Sequence, residues 1–262
     1  MTSTQSPPRQ PDAATTPPAS RARRRRHPWR RRLAVLVVLA VLIAACGFAG
    51  LWAATPSVAD APARVDAILD AHHAPSDRGV IPRKVSMALL ATEDSRYWHD
   101  PALDPQGTAR AVWGMLTGNP NEGGATIEVQ LAKVLYTPGR SNPPALLEQV
   151  GIAFKLDHHY TKKQILAMYL NAVYFGDGAY GVVEAAERYF GRRPGQLTWA
   201  QASLLGGLVQ APSDYTPRYH LHAALTRRHH VLDRLVATGI LTRARADRIS
   251  RQPLDPAVPF TG

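Results

Sequence analysis

The alternation of apolar and polar positions divides the 262-residue chain into one unbroken apolar run and a longer region of helical periodicity. No charge interrupts the 22 residues from Leu33 to Ala54. As a helix rising about 1.5 Å per residue the run spans roughly 33 Å, enough for the hydrocarbon core of a bilayer. A polar connector from Pro56 to Pro82 follows, with a short helical pattern at Val65, Ile68 and Leu69 ahead of a turn at Pro75 to Gly79. Val85, Leu89 and Glu93 then recur at i, i+4 and i+8, so a carboxylate extends an apolar stripe instead of pointing to water.

Further along, Thr161 and Gln164 have the spacing of a capping box opening a helix with Ile165, Met168, Tyr169 and Ala172 on one face. Thr198 and Gln201 repeat the device ahead of Leu204, Leu205, Leu208 and Val209, with Pro212 marking the stop. A last amphipathic helix carries Leu225, Val231, Leu232, Leu235 and Val236 and stops near Gly239. No sustained period-two pattern appears, so the expected fold class is mainly α.

Charge sharpens the picture at the N-terminus. Residues 1–32 hold nine arginines against one acid, Asp12, and therefore +8 of the net +11. The remainder is only mildly basic, which argues against a nucleic-acid-binding domain with a continuous basic face. The first twenty residues, rich in Pro, Ser, Thr and Gln, read as a disordered tail. Arginines preceding the apolar run place residues 1–32 in the cytoplasm and the rest of the chain outside. Two other readings of the run stay open, a cleaved signal peptide and lipidation at Ile43-Ala44-Ala45-Cys46. Phe48, Leu51 and Trp52 continue the run past the cysteine and favour an uncleaved spanning helix over residues 33–54. Cys46 is the only cysteine, so no intramolecular disulfide or thiolate metal site forms.

Three ordered segments carry the chemistry: VSMALLATEDSRYWHD from Val85, GGATIEVQLAKVLY from Gly123, and KKQILAMYLNAVYFGDGAYG from Lys162. In this order they resemble the peptidoglycan glycosyltransferases of glycosyltransferase family 51. The resemblance covers about residues 80 to 238 and is strongest from residue 161 to 217. It implies a lysozyme-like, two-lobed domain over residues 80–250, after a connector at 55–79 and before a tail at 251–262. It also implies polymerisation of lipid II into a growing glycan strand at the outer face of the cell membrane, with release of undecaprenyl pyrophosphate. Other cell-wall synthesis proteins are implied as partners. The chain ends about 25 residues past the last motif, so a monofunctional enzyme without a transpeptidase domain is expected.

Such a reaction needs a base for the acceptor hydroxyl and positive charge for the departing pyrophosphate. Glu93 is the candidate base, with Asp94 orienting it or a basic neighbour. The second motif implies substrate contacts from Gly123, Gly124, Thr126, Gln130 and Lys133. Gln130 and Lys133, three apart, share a helix face. Arg140 and Lys162 are further candidate cations, and Arg227-Arg228 resembles the fifth motif; surface charge is the alternative for Arg140 and for the arginine pair. Asn171, Tyr174 and Gly176 are expected to shape the cleft wall, with Asn171 also counted among the substrate-binding candidates. The stretch from Trp113 to Glu122 reads as a mobile loop beside the cleft.

Departures from the family pattern are specific. Ala125, Glu128, Val129 and Val134 replace residues that are usually Ser, Thr or Ser, Gln and Asn. Asp100 stands where a His is usual, with His99 one place early, and Ala102 stands for a Gly. The third motif, normally Arg-Lys, two residues, then Glu, reads NPPALLEQVG. Counting forward from Arg140 puts Glu148 at the acidic position, whereas counting back from the fourth motif puts Gln149 there. Glu148 is taken as the second catalytic carboxylate. The family further implies a divalent cation, Mg²⁺ or Mn²⁺, held by carboxylates and the substrate's pyrophosphate. The histidine pairs at 72–73, 158–159 and 229–230 do not make a zinc site, because adjacent helical residues diverge by about 100° and no HExxH spacing occurs. A non-catalytic homologue that binds lipid II or assembles with cell-wall proteins, and a lysozyme-like lytic enzyme, are the rival readings.

Overall fold

The computed structural model describes residues 28–76, 81–100 and 125–260. Gly123, Gly124, Ala102 and the stretch from Trp113 to Glu122 lie outside the described residues. The chain divides into two compact units, Met1–Ala45 and Cys46–Gly262. Helix α1, Pro28–Ala54, starts five residues before the apolar run. Its segment Arg32–Ala54 is long and apolar enough to cross a membrane. Between Leu33 and Ile43 its large apolar side chains are exposed, which is the surface a lipid-facing helix needs.

The described residues of the second unit form the α-helices α2 (Ala61–Ala71), α3 (Arg83–Glu93), α4 (Ile127–Tyr136), α5 (Pro143–His159), α6 (Lys162–Ala172), α7 (Gly181–Phe190), α8 (Trp199–Leu208), α9 (Leu221–Ala237) and α10 (Arg243–Ser250). Among the described residues the sole β-type pairing is an isolated bridge between Tyr174 and Tyr180. The mainly α fold class read from periodicity is therefore the observed one. Both capping boxes form, Thr161 with Gln164 at α6 and Thr198 with Gln201 at α8. Two further caps start helices that periodicity did not announce. Thr126 Oγ1 accepts from the Val129 N–H at α4. Asn142 Oδ1 accepts from the Ala145 N–H at α5, with prolines in the first turn where no amide is needed.

The altered third motif is thus the start of a 17-residue helix. Its far half receives the last turns of α1. Phe48 meets Phe154 edge to face at 5.1 Å, and Lys155 Nζ donates to the Thr55 carbonyl at 2.6 Å. Gly151 makes room for Leu51, whose Cγ lies 2.9 Å from where a Cβ would stand.

Two apolar clusters hold the unit. The larger joins α2, α4, α5, α6 and α7 to one side of α3 and α8. The smaller joins Ala88 and Ala91 of α3, Ala200 of α8, Val231, Leu232 and Leu235 of α9, and Ala246 and Ile249 of α10. Helix α8 is common to both and is buried from Ala200 to Leu208, as its all-round apolar sequence requires. Its adjacent glycines, about 100° apart on the helix, face different neighbours. A Cβ on Gly206 would lie 2.8 Å from the Leu89 backbone N, and one on Gly207 would lie 2.9 Å from Arg227 Cγ. Helix α3 therefore crosses α8 backbone to backbone, and α9 lies close on the other side.

Gly206→Ala is expected to destabilise the folded unit by about 1–3 kcal/mol, because backbone atoms must move to admit the methyl. Gly195→Ala, where nothing lies within 4 Å, is expected to stay within about 0.5 kcal/mol of the parent. Urea denaturation followed by circular dichroism compares the two; equal midpoints would remove the close crossing.

Candidate active site

The crossing of α3, α8 and α9 brings the last residue of α3 to the arginine that α9 holds against Gly207. Arg227 Nε donates to the Gly207 carbonyl at 3.2 Å, and its Nη2 donates to Glu93 Oε1 at 3.2 Å. Both side chains are nearly buried, 11% and 12% exposed, so the pair is not a surface ion pair. From the opposite side Gln130 Nε2 donates to Glu93 Oε2 at 3.3 Å and to the Ala125 carbonyl at 3.1 Å. The orientation of that amide is fixed because its Oε1 accepts from the buried Tyr169 hydroxyl. Burial pushes the Glu93 carboxyl above the ordinary glutamate value, partly offset by the Arg227 charge and the Gln130 hydrogen bond.

Glu93 opens into a cleft of about 860 Å³. Its walls come from α2, α4, the 137–140 turn, the first half of α5 and the segment from Tyr169 to Tyr180. Gln130 and Lys133 of α4 both line it, which places the shared face expected from their spacing on the cleft. Lys133 is exposed and, among the described residues, its ammonium has no hydrogen-bond or ion-pair partner. Helix α2, read from sequence as part of a connector, contributes Arg64, and its C-cap residue His72 lines the cleft as well. His72 stacks on Tyr180 with ring centroids 3.5 Å apart.

The other candidates hold the site from behind or lie apart from it. Asp94 Oδ2 accepts from the Ile127 N–H at 3.3 Å. It thereby satisfies one of the free amides at the N-terminus of α4, where a negative charge is also favoured by the helix dipole. Burial raises its carboxyl to about 6 against the lowering effect of that hydrogen bond, and the nearby Glu128 charge adds to the rise. Thr126 is the α4 cap. Lys162 Nζ lies 2.6 Å from Glu128 Oε1 and 3.3 Å from Asp157 Oδ1, and is absent from the cleft lining. Glu128, one of the departures in the second motif, is fully buried there. Asn171 is also buried, donates to the Ala167 carbonyl at 2.8 Å and lines a separate, smaller cavity. Arg228 points away from Glu93 and donates to the Ser250 carbonyl at 2.8 Å.

The third motif separates its two candidates. Glu148 pairs with Arg140 at 2.9 Å, and neither residue lines the cleft. Gln149, 1% exposed, does line it. Its Nε2 donates to Thr137 Oγ1 at 2.8 Å and to the Arg140 carbonyl at 3.2 Å. Among the described residues the lining offers few oxygen ligands for the cation that the family motifs imply. Among the described lining residues Glu93 is the one carboxylate, and both its oxygens are engaged. No group of three His, Cys, Asp or Glu side chains among the described residues is arranged to hold a metal ion.

The buried Glu93 carboxyl, fixed by an arginine and an amide, faces an open cleft that Lys133 also lines, an arrangement suited to group transfer. Residues 65–236 match the transglycosylase family model, and the chain belongs to that family, the peptidoglycan glycosyltransferases expected from the motifs. Penicillin-binding protein 1A of Aquifex aeolicus is 38% identical over 175 residues, which cover 66% of this chain and 24% of that protein. A Cupriavidus necator protein named as a transglycosylase is 33% identical over 192 residues, covering 72% of this chain and 83% of its own length. A crystal structure of penicillin-binding protein 1A from Haemophilus influenzae matches at 28% identity and TM-score 0.36, covering 51% of this chain and 17% of that one. The chain spans about a quarter of the length of the penicillin-binding protein of Aquifex aeolicus.

Three contributors escaped sequence reasoning. Tyr169 was read as one of the apolar residues on its helix face, yet its hydroxyl needs a buried partner and finds it in Gln130. Arg64 and His72 lie in the connector, where nothing in the local pattern points to a cleft.

Proposed function

We propose that the chain polymerises lipid II at the outer face of the cell membrane, anchored by α1 with residues 1–32 in the cytoplasm. The carrying observation is the buried Glu93 carboxyl, fixed by Arg227 and Gln130 in the cleft that Lys133 also lines. In this reading Glu93 takes the proton of the acceptor 4-hydroxyl as that oxygen attacks the donor anomeric carbon, with inversion. The bond from that carbon to the pyrophosphate breaks, and Lys133 stabilises the charge that leaves with undecaprenyl pyrophosphate. Gln130 and Arg227 position Glu93. Asp94 acts at one remove, by holding the end of α3 to the start of α4. The arginines before the apolar run support the orientation of the anchor.

A second reading, a homologue that binds lipid II without turnover, is favoured by the amide of Gln149 lining the cleft where the family motif has an acid. Incubation of the purified chain with lipid II separates the two, since polymer forms only in the first. Activity confined to finished glycan would instead identify a lytic enzyme.

Glu93→Gln is expected to lower the rate of polymerisation at least about 100-fold, the scale of a lost general base, while lipid II binding and folding persist. Near-normal turnover by the folded variant would take Glu93 out of the mechanism. The wild-type rate is expected to fall as pH drops through the raised Glu93 pKa. Arg227→Ala removes the charge opposing that rise, so the acid limb of its kcat/KM profile moves to higher pH, and Arg227→Lys moves it less. An unmoved limb would assign it to another group.

A further inference from the structure

The surroundings of Gln149 are built for an amide. Its Nε2 meets two acceptors, the Thr137 hydroxyl oxygen and the Arg140 carbonyl, in a pocket where the side chain is 1% exposed. Thr137 is itself fully buried. A glutamate in this place would set a desolvated carboxylate oxygen against the Arg140 carbonyl, with no N–H to offer it. Glu148 does not substitute for it, because it pairs with Arg140 outside the cleft lining. Counting back from the fourth motif reaches the same residue independently. The amide instead pins the turn between α4 and α5, and Pro138 and Gly139 of that turn line the cleft beside Lys133. The remaining acid of the described lining, Glu93, is held by Arg227 and Gln130.

We infer that this chain holds the donor's pyrophosphate without a bridging divalent cation, Lys133 supplying the charge and Gln149 acting as a positioning residue for the turn beside it. The inference rests on the lipid II reading for the identity of the anion. Its logic concerns only the donor set: a hard dication needs several oxygen ligands, and an amide whose nitrogen is locked on two acceptors marks a place that does not collect them. Lysine acts on a phosphate as a compact point charge and needs no second partner.

The test uses the purified full-length chain in detergent. Mn²⁺ is titrated and followed by electron paramagnetic resonance, with and without inorganic pyrophosphate, and lipid II polymerisation is measured with EDTA or with added Mg²⁺. The expected results are no saturable Mn²⁺ site attributable to the cleft and polymerisation rates within about twofold of each other across the metal conditions. Lys133→Ala is expected to lose about 100-fold or more, unrescued by Mg²⁺ or Mn²⁺. A saturable Mn²⁺ site that disappears in Glu93→Gln, or activity abolished by EDTA and restored by metal, would overturn the inference. If no condition yields polymer, the lipid II reading fails, and the Mn²⁺ titration still decides whether the cleft binds a dication.

Discussion

Contact between the backbones of α3 and α8 at Gly206 is the constraint on which the site depends. Helices usually pack with 8–10 Å between axes because side chains intervene; here a glycine against Ala88 and Leu89 removes them. The neighbouring Gly207 admits the stem of Arg227 in the same way. One dipeptide thus fixes two elements far apart in sequence, and Glu93 meets Arg227 across 134 positions of chain. Arg234 Nε, donating to the Ala91 carbonyl at 3.0 Å, ties α9 to the same end of α3. Burial then raises the carboxyl above its ordinary value, and the arginine limits the rise.

A second layer stabilises α4, the helix that presents Gln130 and Lys133. Asp94 and Thr126 satisfy amides of its first turn. Beneath them Glu128 is fully buried on Lys162, whose ammonium also lies 4.9 Å from the centre of the Tyr97 ring. The Tyr97 hydroxyl donates to the Lys162 carbonyl at 2.6 Å, closing the cluster. Such a buried pair adds little net stability over an apolar filling, but losing one partner strands the other charge at about 3–5 kcal/mol. Glu128 and Lys162 are therefore coupled, which accounts for a lysine expected in the cleft being spent on a carboxylate that the family motif does not contain.

Much of this was legible in the sequence because it is local. The apolar run, the capping boxes at Thr161 and Thr198, and the apolar stripe ending in Glu93 are each set by spacing along one helix. Motif order supplied the family and, with it, Gln130 and Lys133 on one face. What spacing could not supply was the direction of side chains set by other elements. Whether Arg227 met solvent or Glu93 depended on Gly207 of another helix. Glu148 and Gln149 differ by one position, about 100° of helix, and only the placement of α5 against the 137–140 turn aims Gln149 inward. Helix α2 reached the cleft through tertiary packing that its connector-like surroundings did not announce.

The central claim is that packing of α3, α8 and α9 keeps Glu93 as a desolvated carboxyl of raised pKa. Site-selective ¹³C labelling of glutamate, with the Glu93 resonance assigned by Glu93→Gln and titrated by NMR, measures this without reference to any substrate. The account predicts a midpoint above the ordinary glutamate value of about 4.3. A midpoint at or below that value would mean that the Arg227 charge outweighs burial, and would contradict the assignment of Glu93 as the base.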